Sequence, residues 1–176
     1  MTVGTLTTAD ELLRLPRDGW RYELLRGELK KMSPSGARHA QVSARIIVSL
    51  GQYVDKHALG VVYASEGGFR ISRNPDTVLA PDASFVRADR VVDTVRFFEG
   101  PPDAAFEVVS PNDSYTEVNE KTAEWLSAGT RVVVIVDPRT RRITAHRASG
   151  AVQLNDGIEI EDVVPGWRMS LKEVFG

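Results

Sequence analysis

The chain has 176 residues, of which 42% are hydrophobic and 26% are charged, a composition typical of one globular domain covering residues 1–176 and not of a disordered chain. Its 22 lysines and arginines and 24 aspartates and glutamates give a formal net charge of −2. This charge argues against a protein that binds nucleic acid by positive charge alone. The chain has no cysteine, which excludes disulfides, a thiolate nucleophile and cysteine-bound metals.

The amino-terminal part of the chain predicts a short helix followed by a β-hairpin. Thr8 and Glu11 have the spacing of a capping box, and the helix that they begin must end near Pro16. Residues 20–32 contain two short strand-like runs around Arg26-Gly27, which is typical of a hairpin with a tight turn.

A long helix and a series of strands follow the hairpin. Ser35 can cap the helix, whose apolar residues recur at helical spacing: Val42, Ile46, Leu50 and Val54. Short segments rich in β-branched and aromatic residues, separated by Gly, Asn and Pro, then predict strands at residues 61–64, 69–72 and 79–86.

The second half of the chain predicts a strand–helix–strand unit. Residues 103–109 are nearly all apolar, which indicates a strand in the middle of a sheet. Ser114 can cap the next helix, and Gly129 can end it. A strand at residues 131–136 completes the unit, so we expect two parallel strands joined by a right-handed crossover. With a strand at 142–147 and small edge structure beyond residue 152, the pattern predicts a mixed α/β (α+β) domain.

No membrane segment or signal peptide is predicted. The first residues lack the cationic start and apolar core of a signal peptide. The longest strongly apolar run, residues 132–136, is too short to cross a bilayer. We therefore expect a cytoplasmic protein with no membrane partner.

Three charged residues break the local pattern. Glu107 interrupts the predicted central strand, where a carboxylate is costly unless a cation meets it; a buried pair with an arginine and a functional role both fit. Lys121 shares a helical stripe with Trp125, although a surface pair with Glu117 is the simpler interpretation. Asp82 follows a proline at the start of a strand, where Pro-Asp commonly forms a turn.

Together, Asp82, Glu107 and Lys121 can converge at one end of a small sheet. Two carboxylates suit a hard divalent cation such as magnesium or manganese. A nearby ammonium could orient an attacking water or stabilise charge that develops on a phosphate. The three residues together therefore indicate a candidate site for a divalent metal with an ammonium beside it.

This ordered set resembles the PD-(D/E)XK nuclease superfamily, and more closely its bacterial Uma-two family of restriction endonucleases. The set consists of Pro81-Asp82, Glu107 and Lys121. Four further segments match the family's hairpin, long helix, acidic helix start and following strand and turn: residues 18–29, Arg38-His39, 117–121 and 128–138. The resemblance implies a restriction-endonuclease-like mixed β-sheet flanked by helices, with an N-terminal β-hairpin.

The chain also departs from the superfamily pattern. The lysine that usually follows the strand glutamate by two residues is replaced by Val109, and the family characteristically moves this lysine to the next helix, which makes Lys121 the natural replacement. Arg26 and Val132 stand where the family usually has acids.

The resemblance implies a magnesium-dependent endonuclease that hydrolyses DNA phosphodiester bonds. Asp82, Glu107 and the backbone carbonyl of Val108 would hold one divalent metal, magnesium or manganese, and Lys121 would orient the attacking water. Glu23 resembles an auxiliary acid of the site, although a hairpin ion pair with Arg21 or Lys30 fits equally well. His39 could line the cleft and contact substrate, or simply be a solvated histidine in a first helical turn. Cutting both strands is compatible with a homodimer.

Two other functions stay open from the sequence. One is a catalytically inactive nuclease-fold module that binds DNA or protein, which the near-neutral charge supports. The other is a hydrolase of a small phosphate ester, which requires a closed pocket. A basic cluster could contact phosphates or merely protect an edge strand from aggregation: Arg139, Arg141, Arg142 and Arg147.

Overall fold

The computed structural model of the chain describes residues 7–16, 18–111 and 113–176. These residues form the helices α1 (Ala9–Leu13), α2 (Ala37–Lys56), α3 (Tyr115–Ala128) and α4 (Leu171–Phe175). They also form strands, which are β1 (Arg21–Leu25), β2 (Glu28–Met32), β3 (Gly60–Ala64), β4 (Phe69–Ser72), β5 (Thr77–Leu79), β6 (Ala83–Arg87), β7 (Phe98–Glu99), β8 (Ala104–Val108), β9 (Val132–Asp137), β10 (Arg142–Arg147), β11 (Gly150–Gln153), β12 (Gly157–Glu159) and β13 (Arg168–Ser170).

A five-stranded sheet has the order β2-β1-β5-β4-β7. Strands β1 and β2 pair antiparallel, which confirms the predicted hairpin, and Arg26-Gly27 forms its two-residue turn. Both turn residues have positive φ, 51° and 79°. A two-residue hairpin turn whose twist matches that of the flanking strands requires this conformation. The hairpin thereby places Glu23 opposite Lys30, in the middle of β1.

A six-stranded sheet has the order β11-β10-β9-β8-β6-β3. Strands β8 and β9 pair in parallel and are connected by α3, whereas the other neighbours are antiparallel. The predicted parallel pair is confirmed. Its central position explains why β8 is almost entirely apolar, since both of its faces are covered.

The core lies on both faces of the six-stranded sheet. On one face, the apolar stripe of α2 packs with α4 and Trp167 against Phe106 and its neighbours. On the other face, Trp125 of α3 and Phe69 of the five-stranded sheet pack against Val133. Each fully buried large apolar side chain contributes about 1.5–3 kcal/mol. The second cluster also joins the two sheets, since it contains residues of both.

Three sequence predictions are wrong. The single strand expected at residues 79–86 is split into β5 and β6, which belong to different sheets, because Pro81 has no N–H for a ladder bond. Helix α2 has Gly36 and not Ser35 as its N-cap, because Gly36 is the extended residue just before the helix and makes no side-chain cap. The basic strand β10 is not an edge strand, because β11 covers it.

Helices α1 and α3 begin as predicted, although α1 ends at Leu13, before Pro16. Thr8 and Ser114 each form a capping box, with Glu11 and Glu117 respectively. Gly129 ends α3 in the left-handed conformation at φ 107°, which glycine adopts without strain.

No helix within the described ranges is long and apolar enough to cross a membrane. The stretch from which we predict the absence of a signal peptide lies, apart from Thr7, outside the described residues.

Candidate active site

The site lies where the chain passes from one sheet to the other. Strand β5 ends at Leu79 in the five-stranded sheet, and β6 begins at Ala83 in the six-stranded sheet. Ala83 pairs with Phe106, so Asp82, one residue before it, lies beside Glu107, one residue after Phe106. The break at Ala80-Pro81 therefore places an acid from each of two antiparallel strands at the same end of the sheet.

Glu107 points away from α2 and toward α3, since it alternates with the inward-facing Phe106 and Val108. Its Oε1 accepts a hydrogen bond of 2.8 Å from Nε1 of Trp125, and its Oε2 lies 3.2 Å from Nζ of Lys121. Only 14% of the side chain is exposed. Burial raises the pKa of Glu107 to about 7; the Lys121 ammonium opposes this rise, and the charges of Asp82 and Glu23 add to it.

Lys121 connects acids from both sheets. Its ammonium donates a hydrogen bond of 3.0 Å to Oε1 of Glu23 and lies 3.2 Å from Oε2 of Glu107. A weaker contact of 3.4 Å reaches the carbonyl of Ala80. Burial alone would lower the pKa of Lys121, but Glu107, Glu23 and Asp82 outweigh burial and raise it, so the ammonium stays charged.

The simple surface pair between Lys121 and Glu117 does not form. Instead, Glu117 accepts a hydrogen bond of 3.0 Å from the backbone N–H of Ser114 at the start of α3. The capping box therefore occupies Glu117, and the stripe position of Lys121 turns its side chain toward the sheets.

Glu23 joins the site from the hairpin. Its Oε1 accepts a hydrogen bond of 2.9 Å from the backbone N–H of Ala80, in addition to the one from Lys121. Glu23 does not form the alternative ion pair with Arg21 or Lys30. Lys30 is instead paired with Glu28 at 3.5 Å, and Arg21 lies 3.9 Å from Glu66.

Asp82 is held from two sides. Its Oδ2 accepts a hydrogen bond of 2.8 Å from the backbone N–H of Val108 and lies 3.1 Å from Nε2 of His39. Burial raises the pKa of Asp82, but these two partners and Lys121 outweigh burial, so the net shift is downward. Burial lowers the pKa of His39, but Asp82 outweighs it, so the net shift is upward. The two groups therefore favour an ion pair.

His39 is not the solvated residue that its place in a first helical turn suggested. It is only 8% exposed, and its ring lies against the carboxylate of Asp82.

One cavity of about 440 Å³ is lined by every candidate residue: Glu23, His39, Asp82, Glu107, Val108 and Lys121. Arg21, Lys30 and Lys31 of the hairpin also line it. None of the arginines at 139, 141, 142 and 147 is among the described residues that line it, and Arg147 is instead paired with Asp162 at 2.7 Å.

The donor atoms of the site fit a hard divalent cation in part. Within the described ranges, no three His, Asp or Glu side chains lie close enough together to hold a metal as they stand. Mg²⁺, however, usually binds through one or two carboxylates and keeps several waters, and Asp82 and Glu107 offer two adjacent carboxylates. Burial is the main cause of the raised pKa of Glu107, and the charges of Asp82 and Glu23 add to it; a bound cation would oppose this rise.

Two members of the site, Trp125 and the peptide of Ala80, have no direct indication in the sequence. Trp125 stands four residues after Lys121 on the same helical stripe, and a tryptophan buried beside a strand glutamate needs an acceptor for its N–H. That spacing is the signal that could have found it. Ala80 contributes only backbone atoms, for which the sequence carries no signal.

Comparison with solved structures identifies the class of fold. The chain is similar to a putative nuclease belonging to DUF820 from Anabaena variabilis ATCC 29413, with a TM-score of 0.81, 19% identity and coverage of 96% of this chain and 97% of that chain. This likeness confirms the predicted nuclease fold. A comparison with curated proteins finds no match.

The family follows from the sequence. Residues 9–172 match the Uma2 family, described as "Putative restriction endonuclease". Because the match covers nearly the whole chain, the protein belongs to the Uma2 family, and the resemblance seen in its motifs is confirmed.

Proposed function

We propose that this protein is a metal-dependent endonuclease that hydrolyses DNA phosphodiester bonds through a PD-(D/E)XK-type site. The observation that carries the proposal is the meeting of Asp82, Glu107 and Lys121 in one cavity, although they come from three separate elements. A purely structural ion pair would require only one acid, whereas Lys121 contacts Glu23 of the five-stranded sheet and Glu107 of the six-stranded sheet, and Asp82 lies beside Glu107. Membership of a nuclease family supports the same conclusion.

The proposal assigns the metal to the two strand acids. Asp82, Glu107 and the backbone carbonyl of Val108 would hold one Mg²⁺ or Mn²⁺ ion, the chemistry of which is to polarise a phosphodiester and make water more acidic. All of these donors are oxygen atoms, which both cations prefer.

The side chains around the acids have distinct proposed roles. The Lys121 ammonium orients the attacking water and stabilises the charge that develops on the phosphate. Glu23 holds Lys121 in place through the bond to its Nζ, while Trp125 fixes the rotamer of Glu107. His39 keeps Asp82 ionised and aimed into the cavity, where its own ring can also meet the substrate.

Cleavage of circular DNA tests the proposal. The purified full-length chain is incubated with supercoiled plasmid and with circular single-stranded DNA, in Mg²⁺, in Mn²⁺ and in EDTA. We expect cleavage with a divalent metal and none in EDTA. Lys121→Met keeps the length of the side chain but removes its charge, and we expect it to lower the rate by roughly 100-fold or more.

Two further variants keep this test interpretable. Lys121→Met leaves Glu23 and Glu107 without their cation, which is destabilising, so Asp82→Asn is measured beside it, since asparagine can still accept the Val108 hydrogen bond. Lys172→Met, at an exposed lysine of α4, is the matched control and should cleave normally. Cleavage that survives in both Lys121→Met and Asp82→Asn would refute the proposed site.

One observation favours the alternative of an inactive nuclease-fold module that binds DNA or protein. Glu107 and Glu23 are both bonded to Lys121, and no ready three-residue metal cluster is found among the described residues. Calorimetric titration with Mn²⁺ separates the two functions. Heat of binding that disappears in Asp82→Asn supports the enzyme, and absence of binding supports the module.

A further inference from the structure

A second cavity lies beside the candidate active site. It has a volume of about 260 Å³ and is bounded by α1 and the five-stranded sheet. Its walls are mainly apolar and aromatic: Leu12, Leu13, Trp20, Tyr22, Val78 and Phe97. Clefts for drug-sized ligands measure about 300–1,000 Å³, so this cavity suits a smaller group, such as one planar ring system.

The two cavities share part of their walls. Arg21, Glu23, Leu79 and Ala80 line both of them. Glu23 is also bonded to Lys121, so the shared wall is continuous with the acid cluster. A ligand with an anionic group in the first cavity could therefore extend a flat, apolar group into the second.

Trp20 gives the second cavity an accessible aromatic surface. It is 43% exposed, whereas Trp125 and Trp167 are almost completely buried. Nζ of Lys31 lies over one face of the Trp20 ring, 3.9 Å from its centroid, so a base must stack on the other face; Lys31 itself lines the first cavity. An exposed indole next to lysine and arginine side chains is the combination that binds the bases and backbone of a single strand.

We infer that the second cavity receives an unpaired base of single-stranded DNA whose neighbouring phosphodiester lies at Asp82, Glu107 and Lys121. This inference rests on the proposed nuclease function and specifies its substrate. The base stacks on Trp20 between the apolar walls, and Arg21 contacts the backbone where the two cavities meet. Duplex DNA hides the faces of its bases in the stack and reaches such a cavity only by extruding a base.

The charge of the chain agrees with an unpaired substrate. A net charge of −2 does not favour tight, sequence-blind binding of duplex, because that binding depends on many phosphate contacts. Stacking of bases on aromatic side chains adds affinity that does not depend on net charge.

Photo-crosslinking tests the contact directly. A thymidine oligonucleotide with one central 5-iododeoxyuridine is bound to the full chain in EDTA, so that no metal-dependent cleavage occurs, and is irradiated. We expect mass spectrometry to locate the crosslink at Trp20. Annealing the same oligonucleotide into a duplex should abolish that crosslink. A crosslink that forms equally in duplex, or only at other residues, would overturn the inference.

Binding measurements give a second readout. We expect Trp20→Ala to weaken binding of the single strand about 10-fold, within the range for one stacked base, and to change duplex binding by less than twofold. Trp20→Phe should restore most of the affinity. Val152→Ala, at an exposed apolar residue of β11, is the control and should bind as the wild type does. Equal effects of Trp20→Ala on both substrates would overturn the inference, as would tighter binding of the matching RNA strand.

The inference and the proposed function fail in different ways. If circular DNA is cut but Trp20→Ala binds and cuts single strands like the wild type, the base cavity is refuted and the nuclease stands. If no DNA is cut with any metal, the proposed function is refuted even where the Trp20 crosslink forms.

Discussion

The environment of Glu107 is costly for a folded protein and useful for a catalyst. A carboxylate that is mostly buried and lies near Asp82 and Glu23 has a pKa raised to about 7 from 4.5. The folded protein therefore holds the proton of Glu107 more tightly than the unfolded chain does. The stability that this proton contributes is fully present below about pH 4.5, and it is lost as the pH rises through about 7.

Unfolding at two pH values tests the position of Glu107. In metal-free buffer, we predict that the melting temperature falls more between pH 5 and pH 8 in the wild type than in Glu107→Gln, which cannot titrate. His39, whose pKa is also raised by Asp82, contributes a fall in the same direction to both proteins, so the difference reports Glu107. The pKa shift of Glu107 corresponds to a difference of roughly 3 kcal/mol at most in the free energy of unfolding.

An acid with a lowered pKa provides the control. Arg70 and Arg73 outweigh burial and lower the pKa of Glu99, so its stabilising effect is lost only as the pH falls through the acidic range. Glu99→Gln should therefore show the same change between pH 5 and pH 8 as the wild type. An equal change in wild type and Glu107→Gln would show that Glu107 is not perturbed.

At the scale of single residues, the sequence predicted those that violate a local pattern. Glu107 and Lys121 stand out because a charge on an apolar strand or stripe must meet a partner. Glu23 and His39 do not stand out, since an acid on a hairpin and a histidine near a helix start are ordinary surface residues. Only the approach of β1 and α2 to the sheet junction buries them.

Helix α3 is the element on which the site most depends, because it supplies both Lys121 and Trp125. Its start is set by a capping box. The Ser114 side chain accepts a hydrogen bond from the backbone N–H of Glu117, and the Glu117 side chain accepts one from the backbone N–H of Ser114. We predict that Ser114→Ala lowers stability by about 1 kcal/mol. For a chain of this length, thermal denaturation should show a melting temperature lower by roughly 2–4 °C.

The same change in another helix separates stability from activity. Ser170 forms an equivalent capping box with Glu173 at the start of α4, on the opposite face of the six-stranded sheet. Ser170→Ala should cost similar stability without loss of cleavage, whereas Ser114→Ala should also slow cleavage. Equal activities of the two variants would mean that the α3 cap does not position Lys121.

Elements with strong local signals were predicted well, and the element that creates the site was not. The hairpin, α3 and the parallel pair follow from turn residues, caps and apolar runs. The split of residues 79–86 into β5 and β6 follows from tertiary structure, since the two halves bury their side chains in different sheets. Proline at position 81 permitted the break but did not specify where each half would pair.

Across the whole molecule, the distribution of charge matters more than its sum. Two arginines in the carboxyl-terminal half are neutralised locally, Arg147 by Asp162 and Arg168 by Glu159. Among the described residues that line the candidate cavity, the lysines and arginines other than Lys121 are Arg21, Lys30 and Lys31 of the hairpin, while His39 is paired with Asp82. The basic cluster at residues 139–147 therefore does not extend the proposed binding surface at this cavity.

The salt dependence of binding measures how many phosphates this surface contacts. With three hairpin cations and a slope of about −0.7 per phosphate contact on a single strand, a plot of log K against log salt concentration should have a slope of about −2. Lys30→Ala should make the slope shallower by roughly 0.7, because one released counterion is lost. Lys172→Ala, on α4, should leave it unchanged. A wild-type slope of about −5 or steeper, measured by fluorescence anisotropy in EDTA, would require cations outside the hairpin and would contradict this surface.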